Sequence, residues 1–464
     1  MSVQHWDSQA DVVIVGAGMA GYCAALQAAE AKADVLILEK MPDVGGTSAM
    51  CGGLFAFAGT DLQREHGIED SDDRLFDDLR RVGGYRNDER LVRAYVTHQL
   101  ATYYWLKERG VQFGPPEASA GQSVPRSHHT NSRAVIGALA ARASEKDNIR
   151  VWTNAAVTRL VREHDDAPVE GVIVVRDGKD VAVRARRGVI LTSGGFSRNK
   201  KLLETFAPLQ ADVNTVCGKG CTGDGLLMAW KLGSDMRDMA YAKSTFGNHP
   251  DSGSERHLLL FPVYRGAIAV NKNGRRFVNE SLSYKLLGDA CLQQPDAMSY
   301  QVFDQTVMDK TSPGVLTFDF EEALRDGYML KADRLAQLAA KIGVDANTLT
   351  ATVREYNRRI AQGVEDEFGR TSMSNQFGSL VQLDKPPYYA YPSVNVMLGT
   401  YCGIAINTRM EVIDVFDQPI SGLYAAGEVH GGFHGAAYMT GSGLGKAAIF
   451  GRIAAASATG MPLG

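Results

Sequence analysis

The chain opens its ordered pattern with a β-branched apolar run, Asp11 to Val15 (DVVIV), short and continuous enough to predict a strand buried on both faces. Gly16-Ala17-Gly18-Met19-Ala20-Gly21 follows at once and opens an alanine-rich stretch that predicts a helix to about Ala31. A second apolar run, Asp34 to Leu38 (DVLIL), predicts the next strand and stops at Glu39. Helical patterns then cover Asp72 to Val82, Asp88 to Arg109 and, after a link holding Pro115, Pro116 and Pro125, Arg133 to Ala143. Strand patterns fall within Ile149 to Val161, and Glu170 to Arg176 with Lys179 to Arg184 predict a hairpin around Asp177-Gly178. A further strand, Gly188 to Leu191 (GVIL), runs into Thr192-Ser193-Gly194-Gly195. From about 244 to 398 the glycine clusters thin out and charged helical segments appear, such as Ala332 to Ile342 and Asn347 to Gln362. The pattern closes with a strand and turn at Gly422 to Val429 and a helix opened by Gly441-Ser442-Gly443-Leu444-Gly445 that runs to about Ala456.

Strand, GxGxxG, helix, strand, acid is the order of a dinucleotide-binding unit. Gly16 makes the tight turn, Gly18 lets backbone approach a pyrophosphate, and Gly21 allows helix and sheet to pack closely. The helix N-terminus carries the diphosphate, and Glu39, 18 residues beyond Gly21, is placed to accept from a ribose diol. Within the next fifteen residues stand Gly45-Gly46-Thr47-Ser48 and Gly52-Gly53, where a nicotinamide dehydrogenase would start another crossover. Backbone and small hydroxyls pressed against an extended cofactor fit FAD better than NAD. The second glycine-rich helix start, Gly441 to Gly445, predicts that the C-terminal segment folds back onto the same cofactor.

Length and charge narrow the partners. At 464 residues the chain exceeds the size of a single core, so two domains or one with an insertion are expected. With 49 basic and 53 acidic residues the net charge is -4, which gives no attraction to a phosphate backbone and argues against a nucleic-acid partner. No apolar run approaches the ~20 residues of a membrane helix, and the polar first ten residues lead straight into a strand, so a cytoplasmic protein without a membrane segment is expected. The six cysteines include no CxxC pair, and Cys217-x3-Cys221 is one residue too long for one, so free thiols and no metal are expected.

The motifs VGAGMAG with Glu39, GGTSAMCGG, TSGGF (192–196), TGDG (222–225), VNKNGRRFVNE (270–280) and GLYAAGEVHGGFHGA (422–436) span nearly the whole chain. In that order they resemble the flavoprotein family of soluble fumarate reductases, urocanate reductases and 3-ketosteroid dehydrogenases. The resemblance implies an α/β fold, a discontinuous Rossmann-like FAD-binding domain (1–243 and 399–464) with an inserted α+β capping domain (244–398). It implies FAD contacts from Gly16, Gly18, Ala20, Gly21, Glu39, Lys40, Gly46, Thr47, Ser48, Gly52 and Gly53 in the first stretch. Ala156, Val157, Thr192, Gly194, Gly195, Asp224, Gly427, Glu428, Gly443 and Leu444 complete that set. Complex-bound members attach FAD through a histidine near the GG segment; here Ser48, Ala49 and Met50 stand there, so the implied FAD is non-covalent and docking to an iron-sulfur or membrane partner is not expected.

Three substrate positions depart from the fumarate reductases. Their proton-donor arginine after the NE motif is replaced by Tyr284, their carboxylate-gripping arginine by Tyr438, and the histidine of their HTMGG motif by Gly399. The two tyrosines are similar instead to those of the ketosteroid dehydrogenases, where one removes a proton alpha to a ketone and the other hydrogen-bonds its oxygen. Thr440 takes the place of a serine hydroxyl there. The implied reaction is FAD-dependent alpha,beta-desaturation of a saturated, cyclic ketone such as a 3-ketosteroid or a substituted cyclohexanone, with electrons passed to an acceptor that the sequence does not name. Tyr284 is the candidate base, with Lys285 or Arg265 as the cation that would stabilise its phenolate, and Tyr438 is the candidate electrophile. The alternative is an enone or enoate reductase using the same residues in reverse, with Tyr284 as acid. His128, His129, His434 and Tyr401 are read as structural.

Overall fold

The computed structural model describes residues 5–254, 257–374 and 377–463. Among them an eight-stranded sheet forms the centre of the larger part of the molecule. Its parallel strands lie in the order Pro419–Ala425, Lys179–Leu191, Ser8–Val15, Val35–Leu38 and Ile149–Trp152. Val12 to Ile14, Val35 to Ile37 and Val189 to Leu191 are fully buried, which is why these segments read as unbroken apolar runs rather than alternating ones.

The hairpin strand at Lys179 and the strand expected at Gly188 are one continuous element, Lys179–Leu191. Its first half pairs antiparallel with Gly171–Arg176, and most of its length pairs in parallel with Ser8–Val15. The register slips between Ala185 and Gly188, where Gly188 takes φ +151° and a Cβ would meet the Tyr424 ring at 2.8 Å. That bulge interrupts the apolar pattern and made one strand look like two.

Two helices, Met19–Glu30 and Ser442–Thr459, pack against each other beside the sheet. The contact is close because Gly451 has no side chain; a Cβ there would stand 2.4 Å from the Ala20 carbonyl oxygen. The buried Arg452 locks the pair to a third helix, Glu89–Glu108, by donating to Gln27 Oε1 at 2.8 Å and to Thr102 Oγ1 at 2.9 Å.

A second hydrophobic cluster is built mainly from residues between Phe246 and Val396. Its frame is an antiparallel sheet in the order Thr245–Asn248, Tyr388–Val396, Ser299–Asp304, Ile268–Asn271, with Leu330–Ala332 also pairing to Tyr388–Val396. The helices Tyr284–Leu292, Leu335–Ile342 and Ala346–Gln362 belong to the same stretch of chain. A buried ion network, Arg276 and Arg370 on Glu280 with Arg276 also on Asp366, ties the NGRRFVNE segment into this unit. Among the described residues no helix is long and apolar enough to cross a membrane.

Candidate active site

One cleft touches both clusters, and most of the residues singled out in the sequence line it. At the GxGxxG turn, Gly16 has φ +110° and lies so close to the neighbouring strand end that a Cβ would be 2.5 Å from Thr192 O. Gly21 is equally constrained, since its Cβ would stand 2.0 Å from Gly16 O. Gly18 differs. A Cβ there would make only ordinary contacts, 3.4 Å to Ser48 Oγ and 3.7 Å to Gly45 O, so the space that its missing side chain leaves belongs to the cleft.

The helix Met19–Glu30 starts without a side-chain cap, and no acidic residue stands in its first turn. Its dipole therefore meets the cleft uncompensated by protein charge, as a diphosphate requires. Met19 N donates to Ser48 Oγ at 3.2 Å. The Glu39 carboxylate accepts from Ala17 N and Met41 N, both at 2.9 Å, which fixes it at the strand end with lone pairs left for a ribose diol. Lys40 and Asp224 face each other as an ion pair at 2.6 Å, and Lys40 also donates to Thr222 Oγ1. Thr47 Oγ1 accepts from Gly218 N at 3.0 Å and lies 3.0 Å from Cys221 Sγ, so the Cys217–Cys221 loop packs against the GGTS segment.

Ala20, Gly46, Gly52, Gly53, Val157, Thr192, Gly194, Gly427, Glu428, Gly443 and Leu444 also line the cleft. Three expected contacts do not. Gly21 is consumed by helix packing, Ala156 is displaced by its neighbour Ala155, and Gly195 lies beneath the Glu428 carboxylate, where a Cβ would stand 2.3 Å from Oε1. Glu428 is held by Thr400 N at 2.8 Å, and burial raises its carboxyl above the usual range.

At the far side of the second cluster's wall stand the tyrosines. Tyr284 begins the helix Tyr284–Leu292, capped by Ser283, whose hydroxyl also donates to Tyr438 O at 2.8 Å. The Tyr284 ring stacks on Phe261 at 5.1 Å between centroids and lies 5.9 Å from the Tyr438 ring. Tyr438 in turn has Tyr401 at 4.6 Å and His434 at 5.2 Å, and its hydroxyl accepts from Gly443 N at 3.3 Å. Thr440, Tyr264, Leu259 and Phe318 line the same cleft. Tyr401 carries a left-handed backbone, φ +56°, a conformation that residues with a bulky side chain rarely adopt.

Electrostatics here differ from the expectation for a phenolate. Burial pushes the Tyr284 phenol well above its ordinary range, with Tyr438 and Tyr401 adding to the rise and Thr440 opposing it. Burial likewise pushes Tyr438 up to about 12, the Gly443 and Gly441 N–H groups pulling the other way. Neither cation expected to help is aimed at Tyr284. Lys285 Nζ donates to Lys243 O and Thr245 Oγ1, both at 2.8 Å, and sits 4.5 Å over the Tyr401 ring. Arg265 pairs with Glu117 at 3.0 Å and covers the Phe318 ring.

No arginine lines the cleft among the described residues. At Gly399, the position expected to replace a histidine, a Cβ would press on the Glu428 carboxylate at 2.9 Å. His128 is removed from the cleft altogether, buried with Phe57, Tyr103 and Phe113 and within 2.8 Å of Thr60 Oγ1. The sequence reading missed Lys446 and undervalued Tyr401 and His434, all three of which line the cleft. A lysine at the head of the run Ala447 to Ala456, which is apolar apart from Arg452, was the available signal for the first.

Comparisons with known proteins agree with this geometry. The probable fumarate reductase Ifc3 of Shewanella frigidimarina is 32% identical over 450 residues, covering 96% of this chain and 74% of that protein. The urocanate reductase of Eggerthella lenta is 32% identical over 467 residues, covering 97% and 75%. The crystal structure of 3-ketosteroid-Δ4-(5α)-dehydrogenase from Rhodococcus jostii, in complex with 4-androstene-3,17-dione, superposes with a TM-score of 0.80 at 26% identity, covering 99% of this chain and 98% of that one. The family described as FAD binding domain matches residues 11–444. A helix terminus, a glycine whose missing Cβ opens the cleft and an anchored acid suit FAD, and the chain belongs to that FAD-binding family as a flavin-dependent oxidoreductase acting on CH–CH or C=C bonds.

Proposed function

We propose that the enzyme interconverts a saturated, cyclic ketone and its alpha,beta-enone, with desaturation as the working direction. The observation that carries this reading is the pair Tyr284 and Tyr438, 5.9 Å apart between ring centroids, in a cleft that no arginine lines among the described residues. A dicarboxylate would find no charge-assisted clamp, each such bond being worth ~1.5 to 3 kcal/mol, whereas a ketone needs one donor and an apolar wall. Phe261, Leu259, Phe318 and Tyr264 supply that wall.

In this reading bound FAD supplies the acceptor for the beta hydride. Tyr438 donates to the ketone oxygen and stabilises the enolate that develops there. Its hydroxyl is positioned for this by Gly443 N, which occupies the phenol oxygen's lone pair and leaves the proton to point at substrate. Tyr284 exchanges the alpha proton, and Thr440 is the neighbour that favours its ionised form. The residues named as FAD contacts hold the cofactor, the segment 244–398 contributes Tyr284, and 399–464 contributes Tyr438 and Thr440, so the site forms where the proposed cap meets the cofactor-binding part. Electrons leave to a separate acceptor.

A second reading, enone reduction, draws support from a specific observation. Burial disfavours the Tyr284 phenolate, and neither Lys285 nor Arg265 is aimed at it to stabilise that form, so the acid role starts from the favoured protonation state and the base role does not. Anaerobic photometry separates the two. Bleaching of the oxidised flavin by saturated cyclic ketones, and none by succinate, supports desaturation. Reoxidation of photoreduced enzyme by enones without bleaching by ketones would replace it with reduction, and response to succinate or fumarate alone would overturn both.

A further inference from the structure

Lys446 lies in the helix Ser442–Thr459, 2% exposed, and lines the cleft. Its ammonium makes no hydrogen bond. An ammonium carries three donors, and a protein interior does not leave a buried charge without acceptors when it is in its working state. Lys40, a second lysine on the cleft wall, is already matched by Asp224. Lys446 feels the Glu428 and Asp238 carboxylates but hydrogen-bonds neither, so its donors are left for an acceptor in the cleft.

Lys446 stands at the tyrosine end of the cleft. Gly443, less than one helical turn before Lys446, bonds the Tyr438 hydroxyl, and His434, whose ring is 5.2 Å from that of Tyr438, feels the Lys446 charge. The dinucleotide's phosphates belong at the other helix terminus, beside Gly18. Two-electron reduction of a flavin with uptake of one proton leaves one negative charge on its ring system.

We propose that Lys446 is a cofactor-facing cation that donates to the acceptor-bearing edge of the FAD ring and raises the flavin's midpoint potential by stabilising the charge gained on reduction. The inference rests on the ring lying at the Tyr438 end, and it is independent of which substrate is used. A raised potential is what oxidation of a saturated ketone demands.

The groups around Lys446 set the conditions. Glu428 faces it from the turn Gly427–Val429, Asp238 and Cys402 from neighbouring loops, and Lys285 lies near Glu428. His430 and His434 face it as well, and burial keeps both imidazoles neutral in the working range. Burial pushes the Lys446 ammonium down to about 8, with Glu428 and Asp238 opposing the fall.

The test is a reductive dye titration of the holoenzyme without substrate, comparing wild type with Lys446→Met and Lys446→Arg. The Met variant is expected to bind reduced relative to oxidised flavin at least tenfold less favourably, which lowers the midpoint by about 30 mV, and the Arg variant to recover most of that. Should Lys446→Met fail to fold, the wild-type midpoint is followed against pH, and its fall per pH unit is expected to steepen above about pH 8 as the lysine loses its proton. An unchanged midpoint in a variant that retains FAD overturns the proposal. Weaker FAD binding with an unchanged midpoint also overturns it, and so does a pH slope that stays constant through pH 8. Failure of the ketone assay with a shifted midpoint would instead discard the substrate reading and leave Lys446 in its role.

Discussion

Ser283 donates its hydroxyl to the main-chain carbonyl of Tyr438 across 2.8 Å, so the residue that caps the Tyr284 helix also holds the loop of the second tyrosine. The two segments come from distant parts of the chain, and this bond ties them together beside the two phenols. Ser283→Ala is expected to cost ~1 kcal/mol of stability as a lost N-cap. It should also lower turnover without altering the flavin spectrum, whereas a cap with no catalytic consequence would change the urea midpoint and leave turnover alone.

The phenols themselves give the sharpest test. Tyr284→Phe keeps the stack on Phe261 and removes one hydroxyl, so turnover should fall by the ~100-fold to 10,000-fold typical of losing a proton-transfer group. Tyr438→Phe should lose ~2.7 to 4 kcal/mol of transition-state stabilisation, with substrate affinity less affected. Near-wild-type rates in both variants, with chemistry limiting and an artificial acceptor present, would leave the fold standing and remove the mechanism.

FAD is expected to be released intact by acid precipitation. Position 48 to 50 offers no histidine, and Cys51, which lines the cleft, is held as a thiol that donates to Ser48 O, with burial raising it further from its reactive form. Yellow colour retained in the pellet would contradict this. Gly18→Val should yield folded protein depleted of flavin, because its side chain would occupy the space left for the diphosphate; Gly21→Val should instead fail to fold, its Cβ standing against Gly16 O.

Acid should destabilise the protein partly through His128. Burial, opposed by its hydrogen bond to Arg126 O, pushes this imidazole from 6.5 down to about 4. The unfolded chain therefore binds a proton that the folded chain refuses between those values. Stability is complete above about pH 6.5 and is lost as pH falls toward 4, by about 3 kcal/mol from this group. In His128→Gln, proton uptake on unfolding, measured from urea midpoints between pH 4.5 and 7, should drop by close to one; an unchanged value would assign the acid sensitivity elsewhere.

What could be read from the chain was whatever local sterics enforce. Gly16 and Gly21 are demanded by contacts within a few residues and one neighbouring strand, so the motif and its geometry coincide. Tyr284 and Tyr438 were legible through their motif positions, and the cleft brings both together. Lys285 and Arg265 were not assignable because side-chain direction depends on tertiary partners: Lys243 O and Thr245 Oγ1 claim one, Glu117 the other. Ala156 opens the strand Ala156–Val161 and does not line the cleft, whereas its neighbours Ala155 and Val157 do, an alternation that a motif alone does not reveal. Lys446 went unread because nothing in the sequence separates it from Arg452, six residues on in the same helix, which turns instead to Gln27 and Thr102.

The close contact of Gly451 with Ala20 also has a consequence for synthesis. The strand Lys179–Leu191 emerges from the ribosome early, yet its parallel neighbour Pro419–Ala425 and the helix that seals the first βα unit are translated only after the entire second hydrophobic cluster. Until then the nascent protein carries an open sheet edge and an uncovered helix face, both prone to association. A cofactor pocket that draws on both ends of the chain is complete only when the last helix has been made.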